Sequence, residues 1–203
     1  MSDVVEMSKE VMNYTSHKIY KLDGVSSRSR QILASLRRGV GREPDEFPEL
    51  WGMIFDESSG LFDMYSNKVS DEEKAVYLAL TLFATHVSGK GVRNVNQSGM
   101  TLGKALRVLS GSKGDTVQSY FNRLLTSKSF SELSQHLRRL VAIFRQNGIA
   151  LDYSKLASDV YFWQKGGAYR KNVLREWNRA FFGIESKKKE DENKLNDKKL
   201  EEK

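Results

Sequence analysis

The sequence predicts an all-α fold, with two small helical bundles joined by a short glycine-containing linker and a disordered charged tail at the C-terminus. Three observations carry this. Apolar residues recur at the helical period along almost the whole chain, and no stretch alternates with the period-two pattern of a strand. The two prolines, Pro44 and Pro48, fall in one connection, so the rest of the chain is free of the strongest helix breaker. Successive periodic segments also end at or near a glycine, the residue that most easily takes the left-handed backbone beyond a helix end. A chain of 203 residues that is 39% hydrophobic can close a core without disulfides.

Taken in order, a first helix runs from about Val4 to Leu22 and ends at Gly24. Ser26 or Ser27 caps a second, which stops at Gly39. After the two prolines, "ELWGMIF" makes a short third helix. Ser70 followed by Glu73 is a capping box opening "KAVYLALTLFATHV", which is apolar almost all round and so reads as a central buried helix. A polar loop, "SGKGVRNVNQSGM", leads to the helix "TLGKALRVLS". "GSKGD", Gly111 to Asp115, is the expected linker. Helices then follow at about Thr116 to Leu125, Phe130 to Gln146, Asp152 to Gln164 and Tyr169 to Phe182. The expected domains are 1–110, 116–183 and a tail at 184–203. That tail has seven lysines, seven acids and no aromatic residue, too little apolar surface to order itself.

Composition excludes several functions. With no cysteine there is no disulfide, thiol nucleophile or cysteine-ligated metal centre. No apolar run reaches the roughly 18 residues of a spanning helix, and "MSDVVEMSKE" lacks the order of a signal peptide, so a cytoplasmic protein without a membrane role is expected. The net charge is +7, yet the tail is neutral. Between Ala84 and Arg145 ten lysines and arginines face two acids, a local +8 that suits a large anion such as nucleic acid.

The arginines are placed on helices in a repeated way. In "SRSRQILASLRRGVG", Ile32, Leu33, Leu36 and Val40 form the apolar stripe, with Arg30, Arg37 and Arg38 on the other side. Arg28 and Arg30 stand in the first turn, where the macrodipole disfavours a cation, and no acid occurs between Asp23 and Glu43 to compensate. In "SELSQHLRRLVAIFRQNG", Leu133, Leu137, Leu140, Val141 and Phe144 make the stripe, and Arg138, Arg139 and Arg145 flank it. Lys104 and Arg107 oppose Leu102, Leu106 and Leu109. Lys90 and Arg93 lie in the loop before them, and Arg123 follows. Repeated basic helix faces of this kind suit contact with phosphates.

No catalytic constellation stands out. "GMTLGK" is one residue too short for a phosphate-binding loop and has no Ser or Thr after its lysine. Glu132 and His136, at i,i+4, lack a third metal ligand. His86 reads as a hydrogen-bonded residue at the end of the central helix. Trp177 with Tyr169, Val173, Leu174 and Phe181, and Trp163 beside Tyr161 and Phe162, read as packing. No cofactor, no metal and no enzymatic activity are expected.

The pieces "LASLRRGVG", "AVYLALTLFATH", "SGMTLGKALRVLS", "VQSYFNRLLTSKSFSELSQHLRRLVAIFRQNGIALDYSKLASDVYFW" and "VLREWNRAFF" occur in an order and spacing that resembles the small subunit, CasB, of the type I-E CRISPR surveillance complex, Cascade. The resemblance implies an all-helical, two-bundle, non-catalytic protein. It also implies partners: other Cascade subunits, a second copy of the chain, the guide RNA and the target DNA, whose displaced strand and guide–target hybrid the pair helps to hold. The basic positions inside the matching pieces are Arg37, Arg38, Lys104, Arg107, Arg123, Arg138 and Arg139. Two other readings stay open beside it: a free-standing helical DNA-binding regulator, and a scaffold whose arginines meet acidic protein surfaces.

Overall fold

A computed structural model describes residues 2–22, 26–55, 59–63, 66–87 and 92–184, and the side chains of these except residues 2, 92, 93 and 112–115. Helix α4 (Asp71–Val87) sits at the centre. Its capping box forms as expected, with the Ser70 N–H donating to Glu73 Oε2 at 2.6 Å and the Glu73 N–H to Ser70 Oγ at 3.1 Å. Every residue from Ala75 to Ala84 is buried, which follows from a helix with no polar face. His86 is also buried, its Nδ1 2.8 Å from Tyr153 Oη.

Around α4 pack α1 (Ser2–Leu22), α2 (Ser27–Gly39), α7 (Phe130–Asn147) and α8 (Tyr153–Lys165), while α6 (Leu102–Leu125) packs on α7 and on α9 (Gly167–Phe181). Two one-turn helices, α3 (Trp51–Ile54) and α5 (Val92–Val95), fill the connections. The short third helix expected over "ELWGMIF" is thus shorter. Pro44 and Pro48 each open a 3-10 turn (Pro44–Glu46 and Pro48–Leu50), and only Trp51–Ile54 is α-helical. The described part of the polar segment before α6 is tied to the start of α8. Leu151 donates from its N–H to Val95 O at 3.0 Å, and Asp152 Oδ2 accepts the Gly99 N–H at 2.8 Å while its Oδ1 caps α8. Among the described residues the Asn96–Leu151 bridge is the only β pairing, and no helix is long and apolar enough to cross a membrane.

One expectation is corrected. Gly111 to Asp115 is not a linker loop, because α6 runs through it without a break. Two interior glycines cost a helix about 1 kcal/mol each. Against this, Leu102, Leu106 and Leu109 before the segment and Val117, Phe121 and Leu124 after it are all buried. Leu109 and Val117 are eight residues apart, so the two halves keep one apolar face only if the helix continues. The buried side chains also form one continuous cluster, and α1 and α4 pack directly on α8. The tail from residue 185 onward, expected to be disordered, lies outside the described residues.

Candidate nucleic-acid interface

Helix α7 behaves as its pattern predicts. Leu133, Leu137, Leu140, Val141 and Phe144 are at most 1% exposed, and Arg138, Arg139 and Arg145 are exposed. Ser129 caps its start by accepting the Glu132 N–H, and Gly148 closes its end. On α2 the buried set is Ser29, Leu33, Ser35, Leu36 and Gly39, so the stripe is turned slightly from expectation and Ile32 is only half-buried. Arg30 and Arg38 remain exposed, and Arg37 is half-buried. Arg38 donates to Ser35 Oγ at 3.1 Å.

The turn that follows α2 meets the middle of α7. Gly41 has φ +82°, and a Cβ there would lie 2.5 Å from Arg138 Nη1, so the guanidinium rests directly on its backbone. The left-handed conformation is what favours glycine there, since the arginine tip could shift to admit a Cβ. The result is a groove of about 540 Å³ in which Arg42, Arg138 and Arg139 meet Ser131, Ser134 and Gln135, over a floor of α4 that includes Tyr77 and Thr81. Burial pushes the Tyr77 phenol up to about 12, so it stays protonated, donating to Gly39 O at 2.9 Å. Glu43 and Glu46 also line the groove and give it an acidic edge.

His136 lies beside this groove. Burial and the neighbouring Arg139 lower its pKa from the usual 6.5, Glu132 opposes them, and Arg123 of α6 adds to the lowering. Arg123 and Arg139 therefore contribute to one positive region. The Glu132 carboxylate accepts the Lys128 N–H at 2.8 Å, and no cluster of three His, Asp or Glu residues suited to a metal occurs among the described residues.

The remaining sequence candidates are placed elsewhere. Arg107 is exposed on α6, with its Nη1 against the Gly183 backbone at the end of α9, and Lys104 is half-buried one turn earlier. Arg145 is in the last turn of α7, where a cation also suits the helix dipole, as do Arg37 and Arg38 in the last turn of α2 and Arg123 in that of α6. Lys90 lies outside the described residues. Arg93 belongs to α5, but its side chain is not among those described.

Sequence reasoning missed Arg42, which has no helical pattern around it and reaches the groove only through the turn at Gly41. It also missed a cleft of about 550 Å³ between α1 and α2, where Lys18, Lys21 and Arg28 converge. The i,i+3 spacing of the two lysines was legible; the proximity of Arg28 was not, because it depends on how α2 packs against α1.

The fold and the surface together define an all-helical protein that carries exposed arginines on its outward helix faces. The chain is a member of the CRISPR-associated protein Cse2 family, whose sequence model matches residues 32–182. Among solved structures, it is similar to CasB from Thermobifida fusca at 27% identity and a TM-score of 0.69, covering 86% of this chain and 97% of that one. A Cse2-family protein from Thermus thermophilus shares the fold at 20% identity and a TM-score of 0.64, covering 87% and 97%. A chain of a CRISPR RNA-guided surveillance complex does so at 19% and 0.61, covering 86% and 96%. No curated protein sequence matches this one.

Proposed function

We propose that this protein is the non-catalytic small subunit of a guide-RNA CRISPR interference complex, and that its basic surface stabilises the R-loop by holding the displaced DNA strand and the guide–target hybrid. Family membership supports the setting, and a structural relative is itself a chain of an RNA-guided surveillance complex. The observation that carries the role is the convergence of Arg42, Arg138 and Arg139 from distant parts of the sequence on one groove. Guide pairing reads the target, so such a subunit needs only sequence-independent contacts to the phosphate backbone. R-loop formation is nearly balanced in energy, so modest capture of the displaced strand shifts it towards opening. A second copy beside the first would lengthen the basic track, and the other subunits of the complex would fix both in place.

The test is made in the assembled complex. Arg138→Ala/Arg139→Ala and Lys104→Ala/Arg107→Ala are each co-expressed with guide RNA and the other subunits, and stoichiometry and target binding are measured on one preparation. The expected result is unchanged stoichiometry with a sequence-independent loss of DNA binding. Loss of the subunit before DNA is added would support the scaffold reading. Unchanged stoichiometry with unchanged DNA affinity in both variants would reject the role of these four residues.

A further inference from the structure

Helix α9 carries a second cationic face that lies outside the basic block of residues 84–145. Lys171, Arg175 and Arg179 stand at i, i+4 and i+8, on the side opposite the buried Val173, Trp177 and Phe181. All three are exposed, and together with Leu174, Phe182 and Ile184 they line a shallow groove of about 430 Å³. Among the described residues no carboxylate lines it. The one acid of α9, Glu176, accepts from Lys155 Nζ at 3.2 Å.

Phe182 is the unusual member. It is 59% exposed, a large aromatic ring left open to water at the end of a row of cations. Its position is nevertheless fixed. The ring packs edge-on against Phe181, centroids 4.9 Å apart at 75°, and Phe181 in turn packs against the core residue Phe121 at 4.6 Å. The backbone is closed as well, with the Phe182 N–H donating to Asn178 O at 3.0 Å and the Ile184 N–H to Arg179 O at 2.8 Å. An aromatic ring held from behind, open in front and flanked by cations is the arrangement that binds single strands without sequence preference. A base stacks on the ring while the cations follow the phosphates.

We infer that the α9 face is a platform for single-stranded nucleic acid, on which a base stacks against Phe182 and the flanking phosphates meet Arg175, Arg179 and Lys171. The inference rests on the nucleic-acid role proposed above and deepens it with a site that distinguishes strand state. A paired base offers no free face to the ring, whereas the groove of Arg42, Arg138 and Arg139 needs only phosphates.

The full-length chain is titrated with a labelled oligothymidylate and with a duplex of equal length, at several salt concentrations. Phe182→Ala and Phe182→Leu are expected to weaken single-strand binding about fivefold or more and to leave duplex binding within about twofold. Phe182→Trp, which keeps a π face, should bind the single strand within about twofold of the parent. Arg175→Ala/Arg179→Ala should reduce the salt slope by about 1.4, from about 0.7 for each lost contact. Single-strand binding untouched by Phe182→Ala but lost in Arg138→Ala/Arg139→Ala would overturn the platform and leave the proposed function standing. Full binding by Phe182→Leu would also overturn it, assigning the face to an apolar protein partner. A parent protein that binds neither probe would reject the proposed function and the platform together.

Discussion

Helices α7 and α8 carry charge in opposite ways. In α7 an apolar stripe faces the core and the arginines stand outside it, open to solvent. Helix α8 is buried on most sides, and its central acid, Asp159, is 2% exposed. Asp159 pairs with Lys155 and accepts the Trp177 Nε1 hydrogen at 2.8 Å, which ties α8 to α9. Burial opposes the charge on Lys155, but Asp159 and Glu176 together raise its pKa. The difference teaches that charge in this protein has two roles set by depth. Inside, it fixes the packing of two helices; outside, it costs the fold little and is available to a ligand.

Substitutions sharpen the contrast. The largest expected effect is that of Asp159→Ala. It leaves a buried indole N–H without its acceptor and removes the inner partner of Lys155, so denaturant unfolding should show a loss of roughly 3 kcal/mol. If instead Asp159→Ala proved as mild as a surface change, the distinction between the two helices would fail.

Next comes Gly103→Ala. A Cβ at Gly103 would lie 2.4 Å from Trp177 O and 2.7 Å from Ala180 Cβ, so α6 and α9 approach backbone to backbone there. Alanine is the better helix former by about 1 kcal/mol, yet overpacking should dominate and the net loss should be about 1–2 kcal/mol. A stabilised Gly103→Ala would show that the contact relaxes freely.

The smallest expected effect is in pH dependence. The folded pKa of His136 is lowered, so protons bind the unfolded chain better, and the stability this residue contributes is present above the usual histidine pKa and declines as pH falls below it. His136→Gln should flatten that part of the stability profile between about pH 7 and pH 5, as read from unfolding midpoints. A profile unchanged by the substitution would show that burial, Arg139 and Arg123 together do not lower the pKa of His136 in the folded chain.

Much of the fold was legible because it rests on local signals. The stripe of α7, the apolar α4 and the Ser70 and Glu73 capping box are all encoded within a few residues. The expected linker at Gly111 to Asp115 is helix because the apolar phase shared by Leu109 and Val117 outweighs the cost of the two glycines between them. Gly103 stood in a near-miss phosphate motif, and its packing against α9 depends on a contact some seventy positions away in sequence. For the candidate interface, the exposed arginines could be read from helix faces. Arg42, the cleft of Lys18, Lys21 and Arg28, and the open ring of Phe182 could not, since they depend on how turns bring segments together.

The central claim is that the outward arginines near the groove hold phosphates and do little for the fold. The most direct test is the salt dependence of single-stranded DNA binding by the isolated chain and by Arg138→Ala/Arg139→Ala, with unfolding measured in parallel. The expected result is a stability within about 0.5 kcal/mol of the parent and a salt slope smaller by about 1.4. An unchanged slope with a fold weakened by several kcal/mol would contradict the claim, since the two arginines would then be structural.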